Sequence, residues 1–274
     1  EFCFDESIFQ KGQKFIFVSD QYVPRFDKDA GSRSIYEYML LFQEMGYHVI
    51  FMGEDFQGEP PYAEIIEKKG ITILSGEQYR LHWKEWIKHY GNYIDIVLLN
   101  RPHVARMFLD CWKENTKAKV VYMGCDLHFL RAQREYDLTG DLEVKKSIAF
   151  FEALELTVMY QADKVLLFSD EEQRVVREKF DINAVTVPLY YFRKMERPKR
   201  RIDKTQDLLF VGGFLHRPNV DGVQWFVKEI WPIIKRRLPH IKFYIVGSNP
   251  PDSIKALATD DVVITGFVTD EQLQ

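Results

Sequence analysis

What most limits the fold of this chain is a repeated alternation of short β-rich apolar runs with windows of helical apolar spacing. "KFIFVS" (14–19), "HVIFM", "ITIL", "DIVLLN", "KVVYM" and "KVLLFS" recur in this way, the pattern of βα units laid on a parallel sheet. In "SIYEYMLLFQEM" (34–45), Ile35, Tyr38, Met39, Phe42 and Met45 share a helical face and Gly46 stops the helix. Ser169 and Glu172, directly after "KVLLF", have capping-box spacing. After "AVTVP" the periodicity fails in "LYYFRKMERPKRRIDKTQD", where Arg197, Lys199, Arg200 and Arg201 gather around Pro198. This stretch reads as an interdomain linker, either a solvated charged loop or a phosphate or membrane contact.

A second series follows: "DLLFVG", a helix from about 219 to 238, "KFYIVG", a short helix near "SIKALA", "DVVITG", and "TDEQLQ" as the opening of another helix. The expected organisation is α/β, with a Rossmann-like domain over 1–192, a linker over 193–206 and a second Rossmann-like domain over 207–274. A doubly wound domain has two βαβαβ halves, and only one is present in the second series. Strand 207–211 would normally be central, so the second domain is expected to be incomplete and to continue beyond Gln274.

The 274 residues are 46% hydrophobic and 15% aromatic, enough apolar material for a core in each domain. A net charge of −4 gives no bulk attraction to nucleic acid or anionic lipid, so an anionic ligand must be held by local groups. Cys3, Cys111 and Cys125 lie far apart without CxxC spacing, which suits free thiols in a reducing compartment. No apolar run approaches the roughly 18 residues of a membrane span, and no secretory signal is legible. A cytoplasmic protein without a membrane span is expected, with peripheral membrane contact left open. The 7 histidines and 41 acidic residues do not converge at metal-ligand spacings, so no metal is expected. Without a G-x-S-x-G elbow, serine hydrolysis is disfavoured as well.

The chemistry is expected at strand ends. "SDQYVPRFDKDAGSRS" and "VGGFLHRPNVDG" each carry a first strand into glycine and small polar residues before a helix. Glycine lets backbone approach a ligand, and the N–H groups and positive dipole at a helix start suit a phosphate. Gly31 and Ser32 open the first helix; Gly212, Gly213 and Asn219 precede the second. Neither turn is G-x-G-x-x-G or a P-loop, and each is open to the plainer reading of a tight strand-to-helix turn. In "VYMGCDLHFLRAQRE" (121–135), Gly124, Asp126, His128 and Arg131 follow a strand. His128 could donate to a sugar hydroxyl or a phosphate oxygen, and Asp126 could accept from a hydroxyl, orient the imidazole or cap the helix. In "LLNRPHVARMF" (98–108), Asn100, Arg101 and His103 repeat the geometry, with Arg101 a candidate anion or hydroxyl contact and Asn100 a candidate helix cap. Two further strand ends carry Gly247, Ser248 and Asn249, and Gly266, Phe267 and Val268. Phe267 and Val268 could pack on a nucleobase, or Phe267 could be plain core.

Taken in order, "VSDQYVPRFDKDAGSR", "LLNRPHVA", "CDLHFLRAQRE", "LLFVGGFLHRPNVDGVQWF", "FYIVGSNPP" and "VVITGFVTD" resemble the GT-B glycosyltransferases of family 4, over about residues 14 to 274. The resemblance implies a retaining, metal-independent enzyme that needs no cofactor beyond a nucleotide-diphosphate sugar as donor substrate. The donor is then held mainly by the second domain and a carbohydrate or lipid-linked acceptor mainly by the first. It places Gly31 and Ser32 near the donor phosphates, His128 beside the transferred sugar, Gly212 and Gly213 under the diphosphate, and Phe267 and Val268 at the base. The leaving phosphate takes the acceptor proton, so the protein's task is to stabilise charge on the diphosphate. This sequence departs from the family at the usual Arg and Lys grip, for which Arg217, with His216, is the nearest substitute. It departs also at the paired glutamates, which would fall beyond Gln274. A nucleotide-sugar epimerase of the same fold, or a catalytically silent module of a larger protein, remain the alternatives.

Overall fold

The computed structural model describes residues 6–192 and 207–269. The expected linker over 193–206, with its basic cluster, and the expected helix start over 270–274 fall outside the described residues. The chain divides into two units, Glu1–Arg193 and Lys194–Gln274.

In the first unit the strands are β1 (Lys14–Asp20), β2 (Tyr47–Gly53), β3 (Thr72–Ile73), β4 (Ile96–Asn100), β5 (Lys119–Gly124), β6 (Lys164–Leu167) and β7 (Ala184–Thr186). They form one parallel sheet of order β3-β2-β1-β4-β5-β6-β7, with Ile16 in register with Val49 on one side and Ile96 on the other. Side chains alternate across a strand, so Phe15 and Phe17 of β1 enter one core and Ile16 and Val18 the other. The first core is closed by Trp86 from α3 (Glu77–Tyr90), Phe108 and Trp112 from α4 (Pro102–Asn115), Val158 and Met159 from α6 (Leu142–Gln161) and Val176 from α7 (Asp170–Phe180). The second is closed by Ile35, Tyr38 and Met39 from α1 (Ala30–Glu44) and Ile66 from α2 (Tyr62–Glu67). Burial on both faces explains why these strands read as continuous apolar runs rather than alternating ones.

The local signals act largely as written. Gly46 follows α1 at φ 89°, a left-handed conformation that glycine adopts without strain. Pro102 opens α4, where a missing N–H costs nothing. Ser169 caps α7 by accepting from Glu172 N at 3.4 Å, while the Glu172 carboxylate accepts from Leu127 N at 3.0 Å. One half of the capping box is thus local, and the other ties two segments of the unit together.

The second unit is a parallel sheet of β8 (Leu208–Val211), β9 (Phe243–Val246) and β10 (Val262–Gly266), ordered β10-β9-β8. Phe214, Val223, Trp231, Phe243, Ile245, Ile254 and Val262 form its core. The expected long helix is present as α8 (Arg217–Trp225), a π-helical turn (Phe226–Ile230) and α9 (Trp231–Arg237). Pro232 supplies the reason: it has no N–H for an i→i−4 bond and its ring displaces the carbonyl one turn back. A short helix, α10 (Asp252–Lys255), lies near "SIKALA" as expected. Among the described residues β8 pairs with β9 alone, and Leu209 and Val211, on its outward face, are each 55% exposed. No helix among the described residues is long and apolar enough to cross a membrane.

Candidate active site

In the first unit the chain runs from β1 outward through β2 to β3, then returns to start β4 on β1's other side. The reversal makes the carboxyl ends of β1 and β4 the topological switch point, where such sheets open a crevice for ligands. Asp20 ends β1 there and is 3% exposed. Its carboxylate accepts from Gln21 N at 2.7 Å, Asn100 Nδ2 at 2.8 Å and Arg101 Nε at 2.6 Å. The buried Asn100 therefore braces Asp20 rather than capping α4, and its Oδ1 accepts from Cys125 Sγ at 3.1 Å. Burial pushes the Cys125 thiol up to about 12, with Arg101 opposing the shift. Burial also works against the Arg101 charge, but the Asp20 carboxylate, with Cys125 and Tyr22, outweighs it and holds the guanidinium above its ordinary pKa. Arg101 sits at φ 68° and ψ 146°. That backbone is strained for any residue with a Cβ, and such strain concentrates at functional sites.

Gly31 and Ser32 acquire a local account. A Cβ on Gly31 would stand 2.8 Å from Arg101 Nη2, so the glycine makes room for the guanidinium. The buried Ser32 gives both its N–H and its hydroxyl to Asp29, at 2.8 and 2.7 Å, completing the cap of α1. The Arg101 guanidinium thus borders the turn that opens α1. Gly31→Ala is expected to keep stability within about 1 kcal/mol, because alanine's helix propensity offsets displacement of a flexible side-chain end. Thermal unfolding checks this; a larger loss would mean that the guanidinium cannot move aside.

At the next strand, α5 (His128–Thr139) starts four residues after β5. Asp126 pairs with Arg131 and stands 3.9 Å from His128 Nε2. The group that holds the imidazole is a different one: Glu155 of α6, fully buried, whose Oε1 lies 2.9 Å from His128 Nδ1. The same carboxylate accepts from His128 N at 2.8 Å and Phe129 N at 3.1 Å. Phe151 stacks on the ring at 5.3 Å. Nearby, His103 Nε2 lies 2.8 Å from Gln21 Nε2 and 3.3 Å from Glu54, joining the ends of β1 and β2 to α4.

In the second unit the three strand ends also converge. Gly212 N donates to Val246 O at 2.9 Å, Gly247 N to Gly266 O at 3.0 Å and Phe214 N to Ser248 O at 3.0 Å. A Cβ on Gly247 would lie 2.9 Å from the Gly212 carbonyl carbon and nearer still to its oxygen, so these two backbones touch only because Gly247 has no side chain. Asn219 Nδ2 donates to Gly213 O at 2.9 Å and pins the turn, and Asn219 N donates to His216 O at 3.0 Å. Among the described residues the N-cap His216 makes no side-chain hydrogen bond to the start of α8. Pro218 has no N–H, so the first turn of α8 is poorer in donors than an ordinary helix start. The amides of Gly213 and Leu215 make no hydrogen bond among the described residues, and both residues are exposed. Arg217 is the exposed cation at this helix start. Phe267 is 61% exposed and so is not core; Val268 beside it is half-buried. Among the described residues no group of His, Cys, Asp and Glu is arranged to hold a metal ion.

Comparison with known proteins bears on both units. Residues 205–274 match the family model "Glycosyl transferases group 1". No curated protein matches the sequence. The crystal structure of TarM has a TM-score of 0.62 at 11% identity, over 95% of this chain and 78% of that one. An S. aureus TarM mutant in complex with Fondaparinux, alpha-GlcNAc-glycerol and UDP gives 0.59 at 10%, over 95% and 78%. A Thermobaculum terrenum O-GlcNAc transferase mutant gives 0.55 at 10%, over 95% of this chain and 46% of that one. The chain thus has an α/β fold of the Rossmann-like GT-B type, and its second unit carries the glycosyl transferase group 1 sequence pattern.

Proposed function

We propose that this chain acts in sugar transfer from a nucleotide-diphosphate sugar to a carbohydrate or lipid-linked acceptor, with retention of configuration and without a metal ion. The observation that carries this reading is the group 1 match over residues 205–274, which takes in the whole Gly212–Gly213 turn and the strand ends at Gly247 and Gly266. The amides of the exposed residues Gly213 and Leu215, which make no hydrogen bond among the described residues, are with Arg217 at the start of α8 suited to an anionic diphosphate. The exposed Phe267 is suited to a nucleobase face. In the first unit, Arg101, His103 and His128 offer donors and acceptors to the sugar and acceptor hydroxyls.

The chemistry requires little of the protein's own proton carriers. The bond from the anomeric carbon to the diphosphate oxygen breaks, and the acceptor oxygen bonds to the same face of that carbon. The acceptor proton passes to the departing diphosphate. The protein's part is to stabilise the charge that builds on this leaving group, through amide dipoles and a cation. A cytosolic enzyme facing soluble nucleotide sugars fits this reading.

Calorimetric titration with a panel of nucleoside diphosphate sugars, with and without EDTA, tests it on this chain and on a carboxyl-extended form. At least one donor is expected to bind, with an affinity unchanged by EDTA. The anomeric coupling of the product, read by NMR, should report retention. Failure of every donor to bind either form would overturn the reading.

A further inference from the structure

We infer that Glu155 is a positioning residue for His128, fixing its ring in the Nδ1–H tautomer so that Nε2 presents a lone pair to the ligand. Four observations carry this. Glu155 is fully buried, on α6. Both of its oxygens already accept from main-chain N–H groups, Oε1 from His128 and Oε2 from Phe129, which makes the group an acceptor toward the ring as well. Nδ1 lies 2.9 Å from Oε1 and must therefore carry the proton. The ring cannot rotate out of this contact cheaply, because Phe151 stacks on its face and the His128 side chain is only 18% exposed.

The consequence concerns what His128 can do. A neutral imidazole that donates from Nδ1 is an acceptor at Nε2, so it takes a hydrogen bond from a ligand hydroxyl. It becomes a donor to an anionic oxygen only when doubly protonated. Asp126 stands with Oδ1 3.9 Å from Nε2 and its other oxygen taken by Arg131, and Glu172 of α7 accepts from Leu127 N, one residue before the histidine. None of these contacts Nδ1. In the proposed reaction, on which this inference rests for its ligand, His128 therefore accepts from a hydroxyl of the transferred sugar.

Long-range nitrogen–proton NMR on histidine-labelled protein reads the tautomer directly, at about pH 9 where an ordinary histidine is neutral. His128 is assigned among the 7 histidines by comparison with a His128→Asn spectrum. The expected pattern is Nδ1–H in the wild type and in Asp126→Asn, and a shift toward Nε2–H in Glu155→Gln, whose amide has one acceptor oxygen in place of two. With an active donor, Glu155→Gln should lower kcat roughly tenfold or more while moving the donor KM by less. An Nε2–H wild type, or an unchanged pattern in folded Glu155→Gln, would overturn the inference. Should Glu155→Gln fail to fold, the wild-type and Asp126→Asn spectra decide. The measurement needs no donor, so an Nδ1–H ring without sugar transfer would defeat the proposed function and leave the positioning role standing.

Discussion

Replacing Asp20 with alanine is expected to remove about 3 kcal/mol from the stability of the first unit. The side chain is 5% exposed, and its loss strands the Arg101 guanidinium, itself 22% exposed, along with the Asn100 amide and the Gln21 N–H. Most of that cost is the unpaired cation rather than the lost attraction, so Asp20→Ala combined with Arg101→Met should recover part of it. Denaturant unfolding of the two single variants and the double variant checks this. A double variant as unstable as the sum of the singles would show that the pair contributes no coupling and that Arg101 is held by something else.

Gly247→Ala should be the most damaging single methyl group in the second unit. Its Cβ would enter the space of the Gly212 carbonyl, a backbone group that cannot swing aside as a side chain does, so β8 and β9 must separate at their ends. Overpacking against backbone puts the cost at about 3 kcal/mol, and donor binding should be lost with it. Gly213→Ala supplies the contrast, since its Cβ meets only Ser248 Oγ at 3.6 Å, an ordinary contact. Thermal unfolding should separate the two variants by several degrees, Gly213→Ala remaining near the wild type. Equal unfolding temperatures would mean that the turn after β8 relaxes more freely than its hydrogen bonds imply.

The elements of the fold were largely legible because hydrophobic periodicity dictates them. Phe15, Ile16, Phe17 and Val18 must be buried on two faces, and that requirement alone makes β1 an inner strand of a parallel sheet. Edges and helix defects were less legible: "ITIL" yields a strand of two residues, Thr72–Ile73, and the π-helical turn before Pro232 has no signal beyond the proline. In the candidate site, the strand-end residues could be named from position, but their partners could not. Glu155 lies in "FFEALELTVMY" three residues after the half-buried Glu152, and residue type does not distinguish them. The one available cue is spacing, since Glu155 shares a helical face with Val158 and Met159, both buried. Asp20 and Cys125 were likewise hidden, because what brings them to Arg101 is the strand order of the sheet, which local sequence does not encode. Gly31 could be named from its turn, but not its neighbour, the Arg101 guanidinium from the start of α4.

The start of α5 has a mechanical consequence. Leu127, His128 and Phe129 donate their amides to Glu172 on α7 and Glu155 on α6. Three helices are thereby stitched to one short loop, by bonds that would all have to break together for the loop to move alone. The loop then behaves as a rivet rather than a hinge. Any ligand-driven displacement of His128 must carry α5, α6 and α7 with it as one block, so substitutions far along α6 or α7 that tilt those helices would be felt at the imidazole as a change of aim.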